Sequence, residues 1–144
     1  MTRALRGAVL GSLLLAAGGA WAGENVACRT VTTKELREIT GVPLADGVPV
    51  GVDGDTSQCG WAHKAGGYQV TVYFKYAQGA YDQMKGLPGF APVSGIGDRA
   101  MWSPVMHTFM AQKGDKAIAI KFNFVQGDQK TMGTKLVKLA LGRM

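Results

Sequence analysis

Apolar and polar residues alternate in several stretches of this chain, as they do in half-buried β-strands. The clearest stretch is residues 68–75, which predicts a hairpin with residues 58–64 across a pair of glycines. Residues 100–103, 105–113 and 116–124 predict three further strands. The last of these strands is expected to bury one apolar face, formed by Ile118, Ile120, Phe122 and Phe124.

The first helix is bounded by its capping residues. Thr32 and Glu35 have the spacing of a capping box, which predicts a helix that begins at Thr33. The helix is expected to end near Thr40 because a glycine and a proline follow. The next part of the chain is rich in glycine, proline, valine and aspartate, which predicts a loop with an irregular edge segment at residues 48–52.

Two more helices complete the predicted elements. Residues 79–85 predict a short helix that buries Tyr81 and Met84, and Asp128 caps a longer helix over residues 129–141. The apolar side of the longer helix comprises Met132, Leu136, Leu139 and Ala140. This set of elements predicts an α+β fold, a two-layer sandwich of an antiparallel sheet with helices on one face. The order helix, strands, helix, strands, helix suggests a loose duplication of one helix-plus-strands unit.

The first 22 residues have the three parts of a secretory signal peptide. Arg3 and Arg6 precede the apolar residues 8–17, and Ala20-Trp21-Ala22 supplies small residues before a cleavage site. Cleavage after Ala22 would leave residues 23–144 as a single exported domain, periplasmic or secreted. No later stretch approaches the ~20 apolar residues of a transmembrane helix, so the exported chain is expected to be soluble.

Composition and charge narrow the class of protein. Hydrophobic residues make up 47% of the chain and charged residues 18%, as in ordinary globular domains, and the exported part is too short for a two-domain enzyme. The net charge is +6, part of which leaves with Arg3 and Arg6, so nucleic-acid binding is not implied. Residues 113–144 are locally basic, which predicts at most a weak contact with an anionic membrane surface.

Cys28 and Cys59 are the only cysteines of the chain. Export would deliver them to an oxidising compartment, and their spacing lacks the CxxC pattern of redox or metal-binding pairs. The sequence therefore predicts a disulfide that ties the new N-terminus to the strand carrying Cys59. Trp61 is expected to pack beside this bond in the core, and Trp102 is expected to be a core residue as well.

Several short segments together carry a resemblance. They are a cysteine near the mature N-terminus, VTTKELREITGVPL, CGW before a glycine hairpin, and VSGIGDRAMW before the last strands. Over most of residues 28–141 the chain resembles small exported or lipoprotein-type bacterial domains of unknown function, which have a Cys…Cys-x-Trp pair and a Gly-x-Gly-Asp loop. The resemblance implies a secreted, disulfide-linked α+β domain. Many such domains are lipid-anchored, but Glu24 and Asn25 depart from the pattern required before a lipidated Cys28.

The glycine-rich segment at residues 95–98, Gly-Ile-Gly-Asp, is predicted to be a turn. A dinucleotide-binding loop would need a third glycine and a following helix, whereas here the chain continues into a predicted strand. In the turn, Asp98 is expected to accept hydrogen bonds from nearby backbone amides and to pair with Arg99.

Few residues could carry catalysis or bind a metal. The chain has His63 and His107 but no hydrolase or metalloprotease motif, so a small hydrolase-type enzyme is a less favoured alternative. Met106, His107 and Met110 offer thioether and imidazole ligands for copper, and a periplasmic copper-binding protein is the other alternative. In a strand, however, His107 would point away from the two methionines, which favours core-filling methionines and no cofactor.

The main functional prediction is a non-catalytic binding or accessory protein of the bacterial envelope. With the helices on one sheet face, Tyr73, Lys75 and Lys121 are expected on the other face, where Ala117 and Ala119 leave shallow room beside the tyrosine. An aromatic side chain flanked by lysines suits an envelope protein, a peptide or an anionic ligand.

Overall fold

The structure is a computed structural model, and it describes residues 25–53, 56–63, 66–75 and 80–144. The predicted export signal, residues 1–22, lies outside the described residues. The described part of the chain forms four helices and seven strands. In chain order they are α1 (Ala27–Thr30), α2 (Thr33–Thr40), β1 (Val48–Asp53), β2 (Thr56–Ala62), β3 (Tyr68–Lys75), α3 (Ala80–Lys85), β4 (Ala91–Val93), β5 (Arg99–Ser103), β6 (Thr108–Lys113), β7 (Lys116–Phe122) and α4 (Gln129–Leu141).

The strands form one sheet in the order β1-β2-β3-β7-β6-β5-β4. Every neighbouring pair is antiparallel. One meander, β1 to β3, meets a second, β4 to β7, where β3 pairs with β7. The predicted mixture of helices and an antiparallel sheet is confirmed.

Helices α1, α2 and α4 pack on one face of the sheet, called the helical face below. Leu36 of α2 and Leu136 of α4 are fully buried there against alternate residues of the central strands. Those strand residues include Val70, Val72, Phe74, Phe109, Ile118, Ile120 and Phe122. Since side chains alternate between the two faces of a strand, these residues define the side that the helices cover.

Helix α3 lies on the opposite face. Tyr81 and Met84 of α3 cluster with Met101, Met110 and Ala119, whose strand positions alternate with those of the main core. The prediction that Tyr81 is buried is confirmed. The prediction that the helices share one face was wrong for α3, because its apolar side chains fit the small and flexible side chains of this second cluster.

The predicted caps of the two longest helices are confirmed. Thr32 and Glu35 form the capping box of α2, and Gly41 ends that helix with φ +70°. The Asp128 carboxylate accepts a hydrogen bond from the backbone N–H of Thr131 at the start of α4. None of the described helices is long and apolar enough to cross a membrane.

Two strand predictions extended too far. β6 begins at Thr108 rather than at Val105, since His107 has φ +49°, and β7 ends at Phe122, since Phe124 has φ +58°. Such left-handed backbone conformations interrupt the pairing of strands. The prediction that Phe124 is buried was therefore wrong.

Other differences concern elements with little local signal. Leu139, predicted on the buried side of α4, is partly exposed, while Val137 and Leu141 are buried instead. The short elements α1 and β4 were not predicted, because four and three residues are too few to show a periodic pattern.

Candidate functional site

The predicted disulfide between Cys28 and Cys59 is present. The two sulfur atoms are 2.09 Å apart, and the bond joins α1 to β2. Beside it, the side-chain oxygen of Ser57 accepts a hydrogen bond from the backbone N–H of Ala27 at 3.1 Å. The N-terminal helix is therefore fixed to the sheet by a covalent bond and a buried hydrogen bond.

The face opposite the helical face, called the open face below, carries the predicted binding residues. Tyr73 pairs with Ala119, and Lys121 pairs with Thr71, so Tyr73 and Lys121 lie in adjacent cross-strand rows. Lys75 occupies the position in the row on the other side of Tyr73. The backbone thus brings all three predicted positions to one face, and the side chains of Tyr73 and Lys121 are half-buried.

A hollow of about 140 Å³ lies beside Tyr73. Its lining includes Ala117 and Ala119, the two small residues that were expected to leave room there. Met84 of α3 and Met110 of β6 also border it. The hollow is therefore mostly apolar, and α3 narrows it.

Helix α3 is held on the open face by Arg99. The guanidinium donates to the two carboxylate oxygens of Asp82 at 3.1 and 3.0 Å, and it lies 4.5 Å from the centre of the Tyr81 ring. The Tyr81 hydroxyl donates to the backbone carbonyl of Ala100 at 3.1 Å. Hydrogen bonds from Arg99 and then from Lys85 hold the pKa of Asp82 below its usual value. The charged side chains of Asp82, Lys85 and Arg99 therefore pair with one another on this side of α3.

The Gly-Ile-Gly-Asp segment is a turn, as predicted. Gly95 and Gly97 have φ of +76° and +56°, backbone conformations that residues other than glycine rarely adopt. A Cβ atom on Gly97 would lie 2.5 Å from the backbone carbonyl oxygen of Gln112. Gly97 is therefore required both for its backbone conformation and for a close approach.

Asp98 joins this loop to the turn between β6 and β7. Its carboxylate accepts a hydrogen bond from the backbone N–H of Gly114 at 2.7 Å, as expected for a turn aspartate. The predicted pair between Asp98 and Arg99 was wrong, because Arg99 is bound to Asp82. The end of the sheet bounded by Gly95, Gly97 and Gly114 is called the glycine end below.

The three candidate copper ligands do not converge. Met110 is 1% exposed and lies on the open face beside Met101. His107 is exposed, and its Nδ1 atom lies 2.8 Å from Oε1 of Gln129, in a helix on the helical face. Met106 is half-buried in the turn that precedes β6. Within the described ranges there is no group of three or more His, Cys, Asp and Glu side chains that could hold a metal ion.

The two histidines lie in different parts of the fold: His63 directly follows β2 and His107 directly precedes β6. His63 forms an isolated bridge with Leu44, and the partner of His107 is the amide of Gln129. Among the described residues, neither histidine forms an ion pair with a carboxylate.

The carboxylate of Glu35 has a strongly shifted pKa for a structural reason. Hydrogen bonds from the Arg143 guanidinium, and from the backbone and hydroxyl of Thr32, lower the pKa of Glu35 to about 2. Arg143 also donates to the carbonyl of Thr30 at 2.9 Å. This ion pair connects the start of α2 to the segment after α4 at the glycine end.

The other end of the sheet exposes four large apolar side chains, one beside each of its four connections. Tyr68 and Leu87 are each 39% exposed, Val105 is 67% exposed and Phe124 is 87% exposed. These four residues are called the apolar tip below. Isolated apolar side chains at a surface are ordinary, but a group of them at one end of a sheet is typical of an interaction site.

Strand register explains why tip residues come together. Thr71, Lys121 and Thr108 form one cross-strand row of β3, β7 and β6. A tip residue lies three positions along the chain from each member of this row: Tyr68 at the start of β3, Phe124 after the end of β7 and Val105 before the start of β6. The loop before β4 reaches the same end, because the Ser103 hydroxyl donates to the carbonyl of Pro88 at 3.1 Å.

Phe124 is the tip residue that the sequence interpretation missed. Its left-handed conformation costs a bulky side chain on the order of 1–2 kcal/mol, and the ring is almost fully exposed. Its neighbour Val125 is buried. The adjacent apolar pair Phe124-Val125 breaks the alternation of β7, and this was the signal that the strand had already ended.

A cleft of about 610 Å³ lies behind the tip, between the turn before β6 and the start of α4. His107, Phe124 and Trp102 border it together with the side chains of Asn123 and Gln129. Asp128 and Lys130 line it as well, so the lining mixes aromatic rings, amides and charged groups, and His107 and Asp128 border the same cleft.

The tryptophans occupy different environments. Trp61 is 1% exposed, and its ring N–H donates to the hydroxyl of Thr33 at 3.1 Å, so its assignment to the core is confirmed. Trp102 is half-buried, with its ring centre 6.2 Å from that of Phe109, and one side borders the cleft.

The basic residues of the C-terminal segment are distributed over several surfaces. Lys113 and Lys116 lie at the glycine end, and Lys121 is on the open face. Lys130, Lys135 and Lys138 are exposed along α4. The local positive charge is therefore not gathered on one flat patch.

No protein-family model matches the chain, and no curated protein matches it.

Proposed function

We propose that the chain is a non-catalytic binding or accessory protein exported to the bacterial envelope, either periplasmic or secreted. The Cys28–Cys59 disulfide supports this assignment, because such bonds persist in oxidising compartments. The signal-like pattern of residues 1–22, and the resemblance to small exported bacterial domains, support it from the sequence.

The observation that carries the proposal is the hollow beside Tyr73. It offers an apolar recess beside an aromatic ring, with Lys121 in the adjacent row of the same face. A recess of about 140 Å³ accommodates a single side chain rather than a whole substrate. A partner protein or peptide that inserts one apolar side chain there, and places a carboxylate near Lys121, would satisfy both features.

The geometry also favours binding over catalysis. A hydrolase-type enzyme would need a nucleophile and a base within hydrogen-bonding distance, in a site that excludes water. His107 is exposed and its hydrogen-bond partner is the amide of Gln129, not a nucleophile. Asp82 and Glu35 each form an ion pair with an arginine, Arg99 and Arg143.

The test is affinity capture from envelope extracts with the natural protein and a Tyr73→Ala, Lys121→Glu variant. A Lys138→Glu variant is the matched control, because it changes the same charge on an exposed helix position. We expect the natural protein and the control to retain a partner that the double variant loses. Identical partners for all three proteins would reject the open face as the binding site.

Export is tested separately by the intact mass of the protein recovered from the cell envelope. We expect a chain that begins at Gly23 and has lost two hydrogens to the disulfide. A mass that includes residues 1–22, two free thiols or a lipid on Cys28 would contradict this part of the proposal.

Copper binding has one supporting observation, which concerns different residues from those first considered. Met84, Met101 and Met110 belong to one cluster on the open face, and thioethers bind Cu(I). The guanidinium over the Tyr81 ring of that cluster disfavours a second cation, and a core role for the methionines explains their burial. Titration with Cu(I) against a chelator distinguishes copper binding from a core role of the methionines. A copper site would bind Cu(I) more weakly in Met110→Leu, and core methionines would give no such difference.

We also propose that the fold derives from a loose duplication. The meeting of two antiparallel meanders at the β3–β7 pair supports this idea. The β4 strand has no counterpart in the first meander, so the two units would differ in length.

A further inference from the structure

We propose that the apolar tip inserts into the surface of a membrane that contains anionic lipid. This inference is separate from the proposed binding at the open face, because the tip lies beyond the strand ends and does not share the hollow beside Tyr73. It rests on the position, the exposure and the backbone conformation of Tyr68, Leu87, Val105 and Phe124.

The shape of the tip suits a lipid surface. Val105 and Phe124 are its most exposed side chains and lie in two neighbouring connections, whereas the Tyr68 ring lies against Gly60 of the adjacent strand. Neighbouring strands are ~4.8 Å apart, so Phe124, just after β7, and Val105, just before β6, can enter a membrane surface side by side. The interfacial region of a bilayer accepts apolar side chains to a depth of roughly 5–10 Å.

The size of the tip argues against a protein partner or a second copy at this place. Its exposed apolar area is on the order of 400 Å², estimated from typical side-chain areas. A stable protein interface needs roughly 800 Å² from each partner. Membrane association has no such requirement, because a few apolar side chains and some positive charge are sufficient for reversible binding.

Charge near the tip has the sign that an anionic membrane attracts. Lys121 lies in the row three positions behind the tip, and Lys130 is exposed in the first turn of α4. Asp128, the N-cap of α4, keeps its negative charge because hydrogen bonds from Thr131 lower its pKa, so Lys121, Lys130 and Asp128 together leave a net charge of +1. These positions place positive charge just behind the apolar side chains, at the depth of lipid headgroups.

The conformation of Phe124 indicates that its exposure serves a purpose beyond folding. A glycine or an asparagine would adopt φ +58° with less strain, and either would avoid exposing a phenyl ring to water. Backbone strain and exposed apolar area both oppose stability of the free protein. Insertion into lipid would remove the exposed apolar area from water and so compensate for that part of the lost stability.

The test is co-sedimentation of the exported, disulfide-bonded protein with two kinds of vesicle. One contains phosphatidylglycerol and phosphatidylcholine in equal parts, and the other contains phosphatidylcholine alone. We expect the natural protein to bind the anionic vesicles more tightly than the neutral ones. Part of this binding should persist at high salt, because salt screens the lysines but not apolar insertion.

Three variants make the test specific. Phe124→Ser should weaken binding by at least about tenfold, the effect of losing one buried phenyl ring. Val50→Ser is the matched control, since Val50 is 43% exposed on the edge strand β1, and it should bind like the natural protein. Phe124→Trp should bind normally and show a blue shift of its fluorescence with vesicles.

Three results would overturn the proposal. The first is the absence of sedimentation with phosphatidylglycerol vesicles. The second is equal binding by the natural protein and Phe124→Ser. The third is equal weakening by Phe124→Ser and Val50→Ser.

Discussion

The two ends of the sheet use left-handed backbone conformations differently. At the glycine end, Gly95, Gly97 and Gly114 hold these conformations, and glycine adopts them without strain. At the other end, Gly89 and Gly127 have positive φ as well, but so do His107 and Phe124, which are the two non-glycine residues with positive φ in the described parts of the chain. The turn glycines at the glycine end add no backbone strain, whereas the left-handed conformations of His107 and Phe124 strain the backbone at the other end.

Stabilising contacts and exposed apolar side chains are also distributed differently over the sheet. The Cys28–Cys59 disulfide ties α1 to the middle of β2, and the Arg143–Glu35 ion pair ties the start of α2 to the segment after α4 at the glycine end. The apolar tip instead leaves large apolar side chains in water. Such a division is expected when one end of a small domain secures the fold and the other end meets a partner.

The largest effect is expected from removing the disulfide. The bond joins residues 31 positions apart, and a Cys28→Ser, Cys59→Ser variant should lose about 3–4 kcal/mol of unfolding free energy, since the unfolded chain gains freedom. Denaturant unfolding of the oxidised natural protein and of the variant measures the difference. A loss below about 1 kcal/mol would show that the covalent bond does not secure the fold.

A second change tests the glycines directly. Gly97→Ala should lose about 2–3 kcal/mol, because it combines a left-handed alanine with a Cβ that would lie 2.5 Å from the Gln112 carbonyl oxygen. Gly114→Ala is the matched control, since Gly114 has φ +62° but open space around it, and it should lose only about 1 kcal/mol. Equal losses would show that the close approach at Gly97 has no energetic weight.

Acid should weaken the glycine end through Glu35. Its pKa in the folded protein, about 2, lies below its ordinary value of 4.5, so the folded state favours the ionised carboxylate. The resulting stability is present above pH 4.5 and is lost as the pH falls toward 2. Thermal unfolding across this range should show the loss, and Glu35→Gln should reduce it.

The control for this experiment is Glu38→Gln, which removes a more exposed carboxylate from the same helix. We expect Glu38→Gln to retain the loss of stability in acid. If Glu35→Gln and Glu38→Gln gave the same pH profile, the Arg143–Glu35 pair would not be the source of the loss.

Local signals in the sequence were sufficient for much of the fold. The capping box at Thr32 and Glu35 predicted the bounds of α2, and the alternation of residues 68–75 predicted β3, because both patterns depend on neighbours in the chain. The disulfide followed from a count of two cysteines in a chain that was expected to be exported. The positions of Tyr73 and Lys121 on the open face followed from strand periodicity.

Features that depend on distant contacts could not be predicted in the same way. The sequence of α3 identifies its apolar side chains but not which face of the sheet receives them. The cleft and the apolar tip arise from four connections that meet only after folding. Phe124 followed the alternation of β7 in the sequence, while its backbone conformation ends the strand.

The smallest expected change in stability gives the most direct test, because the account requires Phe124 to oppose stability and favour binding. Phe124→Asn should raise the unfolding free energy by about 0.5–1 kcal/mol, because asparagine tolerates the left-handed conformation. The same preparation should lose most of its binding to phosphatidylglycerol vesicles. If Phe124→Asn is less stable than the natural protein, or binds the vesicles equally well, the distinction drawn between the two ends is contradicted.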